Sequence, residues 1–206
     1  MFKPEKIPGI VANFYNGMAA KGFSGLYQRL AKGIVSEIKS GNILDIGTGP
    51  GYLPIEIARL NGQLNITGID LSSRMINIAK ENARSAKKEI AEFEVADAHE
   101  LPFSNDSFDL VFSSMSFHHW RDRDMVFKEI IRVLKNNCSA YIWDFRKDVT
   151  GKEFRKTIMS NSFYGRYLSL ALKFHGLKTD EWKSLSSRFP VKWNGALLCL
   201  TLRKND

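Results

Sequence analysis

Ile43-Leu44-Asp45-Ile46-Gly47-Thr48-Gly49-Pro50-Gly51 is the stretch whose reading decides the fold. Ile43, Leu44 and Ile46 form a short apolar run interrupted by Asp45, the pattern of a strand buried on both faces. Glycines at 47, 49 and 51 then supply a turn whose backbone takes positive φ or approaches a ligand without a Cβ in the way. Leu53, Ile57 and Leu60 recur at helical spacing, so a helix leaves the turn. A strand, a glycine turn and a helix in that order mark the carboxyl edge of an open α/β sheet, where such sheets bind ligands.

The same alternation continues outward. Asn65–Asp70, Glu92–Ala96, Phe108–Ser113 and Ser139–Asp144 read as further strands. Ser72 is a candidate N-cap for a helix with Met75, Ala79 and Asn82 on one face. Phe127, Ile130, Ile131 and Leu134 form an amphipathic stripe. Strands alternating with helices pair in parallel through right-handed crossovers, which predicts a doubly wound α/β sheet. Before this core, residues 7–39 read as helical, with Leu26, Leu30, Ile34 and Ile38 repeating every four residues. After it, 152–175 reads as one or two aromatic-rich helices, and Glu181–Ser186 and Ala196–Arg203 as two last strands.

A chain of 206 residues, 44% hydrophobic and 25% charged, fits one ordinary globular domain. No apolar run approaches the roughly 18 residues of a membrane span, and Met1–Ile10 has no secretory h-region. Cys138 and Cys199 lack metal-like spacing and read as reduced thiols of a cytoplasmic protein. No His, Cys and carboxylate cluster has ligand spacing, so no metal is expected. The net charge of +8 is uneven. Residues 1–145 carry 17 basic and 17 acidic side chains, so 17 − 17 = 0, whereas 146–206 carry 13 and 5, so 13 − 5 = +8. These cations are scattered, as on a solvated face, but a polyanion such as RNA is the alternative partner they suggest.

Spacing selects among nucleotide ligands. A dinucleotide turn wants a third glycine where Tyr52 stands, and no Gly-Lys-Ser/Thr ending supports a P-loop. Asp45 would repel a pyrophosphate but attract an ammonium group. Asp70, at the end of the next strand, is placed to accept hydrogen bonds from ribose hydroxyls. S-adenosylmethionine (AdoMet), with an ammonium, a sulfonium and no phosphate, fits these requirements.

Five ordered segments carry a family resemblance: Ile43–Gly51, Gly68–Ser72, Ala96-Asp97-Ala98 with Leu101-Pro102-Phe103, Phe108–Val111 through His118-His119-Trp120, and Glu129–Lys135. Together they resemble the class I AdoMet-dependent methyltransferases, in the branch similar to ubiquinone/menaquinone-biosynthesis C-methyltransferases. The resemblance covers about residues 10–145 well and the tail loosely. It implies a Rossmann-like, seven-stranded, mostly parallel sheet with the last strand antiparallel. It divides one domain into a helical lid (1–40), a cofactor core (41–145) and a basic C-terminal part (146–206). Gly47, Thr48, Gly49 and Gly51 would line the methionine part of the cofactor beside Asp45. Asp70 would hold the ribose, Leu71 and Met75 would pack on adenine, and Asp97 and Ala98 would read its edge. Ser113 and His118 would close the pocket. Phe14-Tyr15-Asn16 resembles a family Tyr-Asp pair, with Asn16 in place of the acid, so Tyr15 alone is carried over. Asn136-Asn137 replaces the usual Pro-Gly, and asparagines still make a turn. For Met75 a plain core role, and for Asp97 a turn-capping role, are the competing readings.

Methyl transfer from a sulfonium, leaving S-adenosylhomocysteine, is an in-line displacement with a good leaving group. Alignment and exclusion of water supply most of the catalysis, about 7–11 kcal/mol from alignment alone, and no catalytic residue is assigned. His118 and His119 follow the fourth strand, where a histidine can accept a proton. The plainer reading has His118 packing on the cofactor and His119 in the pocket wall. Ser113-Ser114-Met115-Ser116 stands where amino-methylating DNA and protein enzymes carry an Asn/Asp-Pro-Pro-Tyr/Phe pattern. This favours C- or O-methylation of a small, apolar or aromatic acceptor. Phe154, Phe163, Tyr164 and Tyr167 line such a pocket or belong to the core. The alternatives are an RNA methyltransferase, a non-catalytic AdoMet-binding protein and, disfavoured by Tyr52, a nicotinamide oxidoreductase.

Overall fold

The structure, a computed structural model, describes residues 22–86, 91–158 and 176–205. Five strands run in parallel: β1 (Gly41–Ile46), β2 (Leu64–Asp70), β3 (Ala91–Val95), β4 (Phe108–Ser114) and β5 (Leu134–Phe145). The sheet is completed by β6 (Val191–Asn194) and β7 (Leu197–Arg203) in the order β3-β2-β1-β4-β5-β7-β6. The last strand, β7, is antiparallel to both its neighbours and lies between β5 and β6. The strand order reverses between β1 and β4, so the ends of β1, β2 and β4 flank the switch point at which open α/β sheets bind ligands.

Helices α1 (Ser24–Glu37), α2 (Tyr52–Leu60), α3 (Ser73–Ser85), α4 (Arg123–Val133), α5 (Gly151–Ile158) and α6 (Thr179–Ser186) surround the sheet. The four-residue repeat of α1 buries Leu26, Leu30 and Ile34 against Ile43, Ile57 and Phe112. The stripe of α4 buries Phe127 and Ile130 among Leu44, Val111 and Leu200 on the other side. Covering on both faces explains why β1 and β4 read as near-continuous apolar runs.

Two expectations are corrected. Glu181–Ser186 is helical, within α6. Trp182 and Leu185, three residues apart, are buried together, and the Glu181 carboxylate accepts the Lys178 N–H at the helix start. The edge strand is instead β6, which joins β7 through a two-residue turn opening with Gly195 at φ +61. Leu134 leaves the α4 stripe and begins β5, because the helix ends at Val133. Asn137 takes φ +63, a conformation asparagine tolerates, and its N–H donates to Lys204 O. Of the aromatic residues after 150, Phe154 is core, whereas Phe163, Tyr164, Tyr167 and Phe174 lie outside the described residues.

Ile57, fully buried between α1 and β1, carries more of the fold than Leu60 at the exposed end of the same helix. Ile57→Ala is expected to cost about 2–4 kcal/mol of unfolding free energy and Leu60→Ala less than about 1. Urea denaturation of the two variants checks this.

Candidate active site

The turn after β1 takes the conformation that its glycines allow. Gly47, Gly49 and Gly51 have φ of +74, +53 and +77, a region that costs other residues roughly 1–2 kcal/mol. Their surroundings differ. A Cβ on Gly47 would collide with Ser116, and one on Gly51 would lie 2.9 Å from Ala79 and Phe93. One on Gly49 would meet nothing within 4 Å. A side chain is therefore barred by packing at Gly47 and Gly51, whereas Gly49 faces open space. Gly51 precedes α2, and Tyr52 begins the helix where a dinucleotide turn would need its third glycine.

Asp45 is 1% exposed, and neither its Oδ1 nor Thr48 Oγ1 has a hydrogen-bond partner. Burial pushes the Asp45 carboxyl up to about 7; the neighbouring Thr48 hydroxyl, too poorly aimed for a full hydrogen bond, opposes the rise, and the charge of Asp70 adds to it. A buried carboxylate oxygen without a good hydrogen bond suits a donor such as an ammonium group. Asp70 lies across the turn: its Oδ2 accepts from Gly49 N at 3.0 Å and its Oδ1 from Ser72 N at 2.9 Å. Burial raises its carboxyl as well, and these two bonds oppose the rise. Ser72 caps α3 by accepting from Met75 N.

Leu71 remains 47% exposed, and so does Val95 at 53%, the residue paired with Asp70 in the sheet. Together they form an apolar shelf at the carboxyl edge suited to a planar ring. Val95 was missed because half-exposed valines at strand ends are common. Met75 is buried against Ile78, the core position that competed with adenine contact. Asp97 accepts from His99 N and meets His99 Nδ1 at 2.6 Å. Burial works to raise its carboxyl, but these bonds and the imidazole hold it below the usual range. It thus caps its turn while staying half-exposed at the edge, with Ala98 beside it. Tyr15 lies outside the described residues.

At the end of β4, the Ser113 and Ser116 hydroxyls are 2.7 Å apart, and Ser116 Oγ donates to Ile46 O. This ties the turn carrying Phe117–His119 to the glycine loop. His118 meets Asp144 at the end of β5, its N and Nδ1 at 2.8 and 2.9 Å from Oδ2. Ser116 and Asp144 were not singled out in the sequence. The available signal for Asp144 was a third acid near the end of an apolar strand, after Asp45 and Asp70. A separate polar cavity of about 570 Å³ is lined by His99, Asp122, Asp124, Met125, Lys128 and Glu129. Its carboxylates are engaged: Asp122 caps α4, Asp124 pairs with Arg188 and Glu129 with Arg132.

Because folding raises the Asp45 carboxyl, the native state holds a proton that the unfolded chain releases near pH 4. Stability falls as pH rises from there to about 7 and stays reduced above it. Asp45→Asn is expected to stabilise the fold, the gain growing by on the order of 2 kcal/mol between pH 5.5 and 8. Denaturation curves at both pH values check this; a gain independent of pH contradicts it.

A methyltransferase domain family matches residues 38–189. The chain is 33% identical over 135 residues to a ubiquinone/menaquinone biosynthesis C-methyltransferase of Geotalea daltonii, covering 65% of this chain and 57% of that protein. It is also 33% identical over 141 residues to a demethylmenaquinone methyltransferase of Thermotoga maritima, covering 66% of this chain and 59% of that protein. The matched region thus spans less than two thirds of either relative. In fold, the chain superposes on an assigned AdoMet-dependent methyltransferase from Methanococcus maripaludis with a TM-score of 0.76, at 22% identity, covering 100% of this chain and 98% of that one. The shared domain and the sheet order identify this chain as a member of the methyltransferase domain family.

Proposed function

We propose that this protein is an AdoMet-dependent methyltransferase that acts on a small-molecule acceptor at carbon or oxygen. The observation that carries this reading is the buried Asp45 Oδ1, without a good hydrogen bond, in the strand that leads into the glycine turn. A cationic amino acid satisfies it, and a pyrophosphate does not. In this reading Gly47, Thr48, Gly49 and Gly51 hold the methionine part, and Asp70 takes the ribose hydroxyls. Leu71 and Val95 take the adenine face, Asp97 and Ala98 its edge, and Ser113 and His118 the wall at β4. The bound cofactor supplies an electrophilic methyl group and departs as S-adenosylhomocysteine. The chain's own part is to orient the acceptor and exclude water.

The relatives support the acceptor class: besides the quinone-pathway enzymes, they include a 27-O-demethylrifamycin SV methyltransferase and a malonyl-[acyl-carrier protein] O-methyltransferase. Three cations of the basic C-terminal part are in ion pairs, Arg146 with Asp148 and Glu153, Arg188 with Asp124, Lys204 with Asp106. We divide the chain into an N-terminal lid (1–40), a cofactor core (41–145) and a C-terminal part (146–206), and the free thiols of Cys138 and Cys199 fit a cytoplasmic location.

Calorimetry with AdoMet, S-adenosylhomocysteine and NADH tests the reading. Binding of the first two but not the third is expected, and a folded protein that binds neither nucleoside contradicts it. Gly49→Ala is expected to lose about 1 kcal/mol of stability but to weaken AdoMet binding by tenfold or more. Gly51→Ala is expected to lose roughly 2–4 kcal/mol of stability, from strain plus overlap with Ala79 and Phe93. Thermal denaturation and calorimetry on both variants separate the two effects.

A further inference from the structure

We infer that Asp144 is a positioning residue that fixes the tautomer of His118, making His118 Nε2 the proton-accepting atom of the methyl-transfer site. The inference rests on the methyltransferase reading for its chemistry and on geometry for its mechanism. Asp144 is 0% exposed, and three N–H donors converge on its two oxygens. Oδ1 accepts from Phe145 N at 2.8 Å, and Oδ2 accepts from His118 N at 2.8 Å and faces His118 Nδ1 at 2.9 Å. A buried carboxylate at neutral pH only accepts, so Nδ1 must carry the proton and donate it. The lone pair of the neutral imidazole then resides on Nε2, the reverse of the tautomer that free histidine favours. The His118 side chain is 11% exposed.

His118 stands in the turn that follows β4, and Ser116 in the same turn donates to Ile46 O beside Gly47. The turn that carries the imidazole is thus anchored twice, through Asp144 to β5 and through Ser116 to the end of β1. His119 lies alongside it, the ring centroids 4.0 Å apart, but the carboxylate selects His118. An acceptor hydroxyl would pass its proton to Nε2 as its oxygen bonds to the methyl carbon and the carbon–sulfur bond breaks, the electron pair remaining on sulfur. The imidazolium so formed keeps its Nδ1 proton against Asp144 and returns the other to solvent. A carboxylate nucleophile would need no such base.

The test is nitrogen NMR on ¹⁵N-histidine protein, with Asp144→Asn and His118→Gln as comparisons and His118→Gln assigning the signal. In the wild type above pH 8, His118 is expected as the Nδ1–H tautomer. The side-chain amide introduced by Asp144→Asn offers a single oxygen to the three donors. That variant is therefore expected to shift His118 towards Nε2–H while its melting curve shows a folded protein. Adding S-adenosylhomocysteine is expected to move the wild-type His118 nitrogens. An Nε2–H wild type, an unchanged tautomer in folded Asp144→Asn, or nitrogens indifferent to bound S-adenosylhomocysteine each overturns the inference. Absence of nucleoside binding by calorimetry would count against the methyltransferase reading instead, with the tautomer result still deciding the role of Asp144.

Discussion

A carboxylate on a central strand of a two-sided sheet, with apolar residues on both sides of it in sequence, is costly unless something compensates for its lost hydration. Asp45 occupies that position in β1 with one oxygen unpartnered, and its raised carboxyl shows the cost. Three left-handed glycines follow, and a side chain at Gly49 would meet open space. An ammonium group against Asp45 would offset that cost. The remaining features lie around it. Asp70 holds the loop through Gly49, Leu71 and Val95 offer an apolar shelf, and the β4 turn bonds to the end of β1.

The sheet order explains how distant residues share one edge. β1 and β4 are neighbours although more than 60 residues apart, and β5 adjoins β4. Their carboxyl ends bring Asp45, Ser113 and Asp144 to one edge of the sheet, where Ser113 bonds Ser116 and Asp144 bonds His118. Packing beneath holds the ends in register: Leu44, Val111, Ile142 and Leu198 are each nearly inaccessible on one face. Loops there can specialise because the core below does not depend on them.

The sequence made β1 to β5, α2 to α4, and the glycine cradle legible because their signals are local. Apolar runs, positive-φ glycines and the Ser72 cap need no tertiary knowledge. Glu181–Ser186 reads as a strand because Trp182 and Leu185 fit strands and helices alike in so short a window; the acids that start the helix, Asp180 and Glu181, are the clue to its true form. Val191–Asn194 is mostly exposed, so it shows little apolar pattern, and the turn at Gly195 was the stronger sign. Within the site, the cofactor motifs could be read, but the Ser116 and Asp144 contacts could not. Each joins residues far apart in sequence, Ile46 to Ser116 across 70 positions and His118 to Asp144 across 26. Periodicity carries no information about such pairs.

The proton balance of AdoMet binding at pH 6 tests the central claim most directly. At that pH the Asp45 carboxyl is largely protonated in the free protein and the ligand's amine is already charged. An ammonium docking against Asp45 must drive that proton off. Calorimetry in two buffers of different ionisation enthalpy is predicted to register release of close to one proton per bound AdoMet, and none in Asp45→Asn. Binding with no proton released by the native protein would contradict the account.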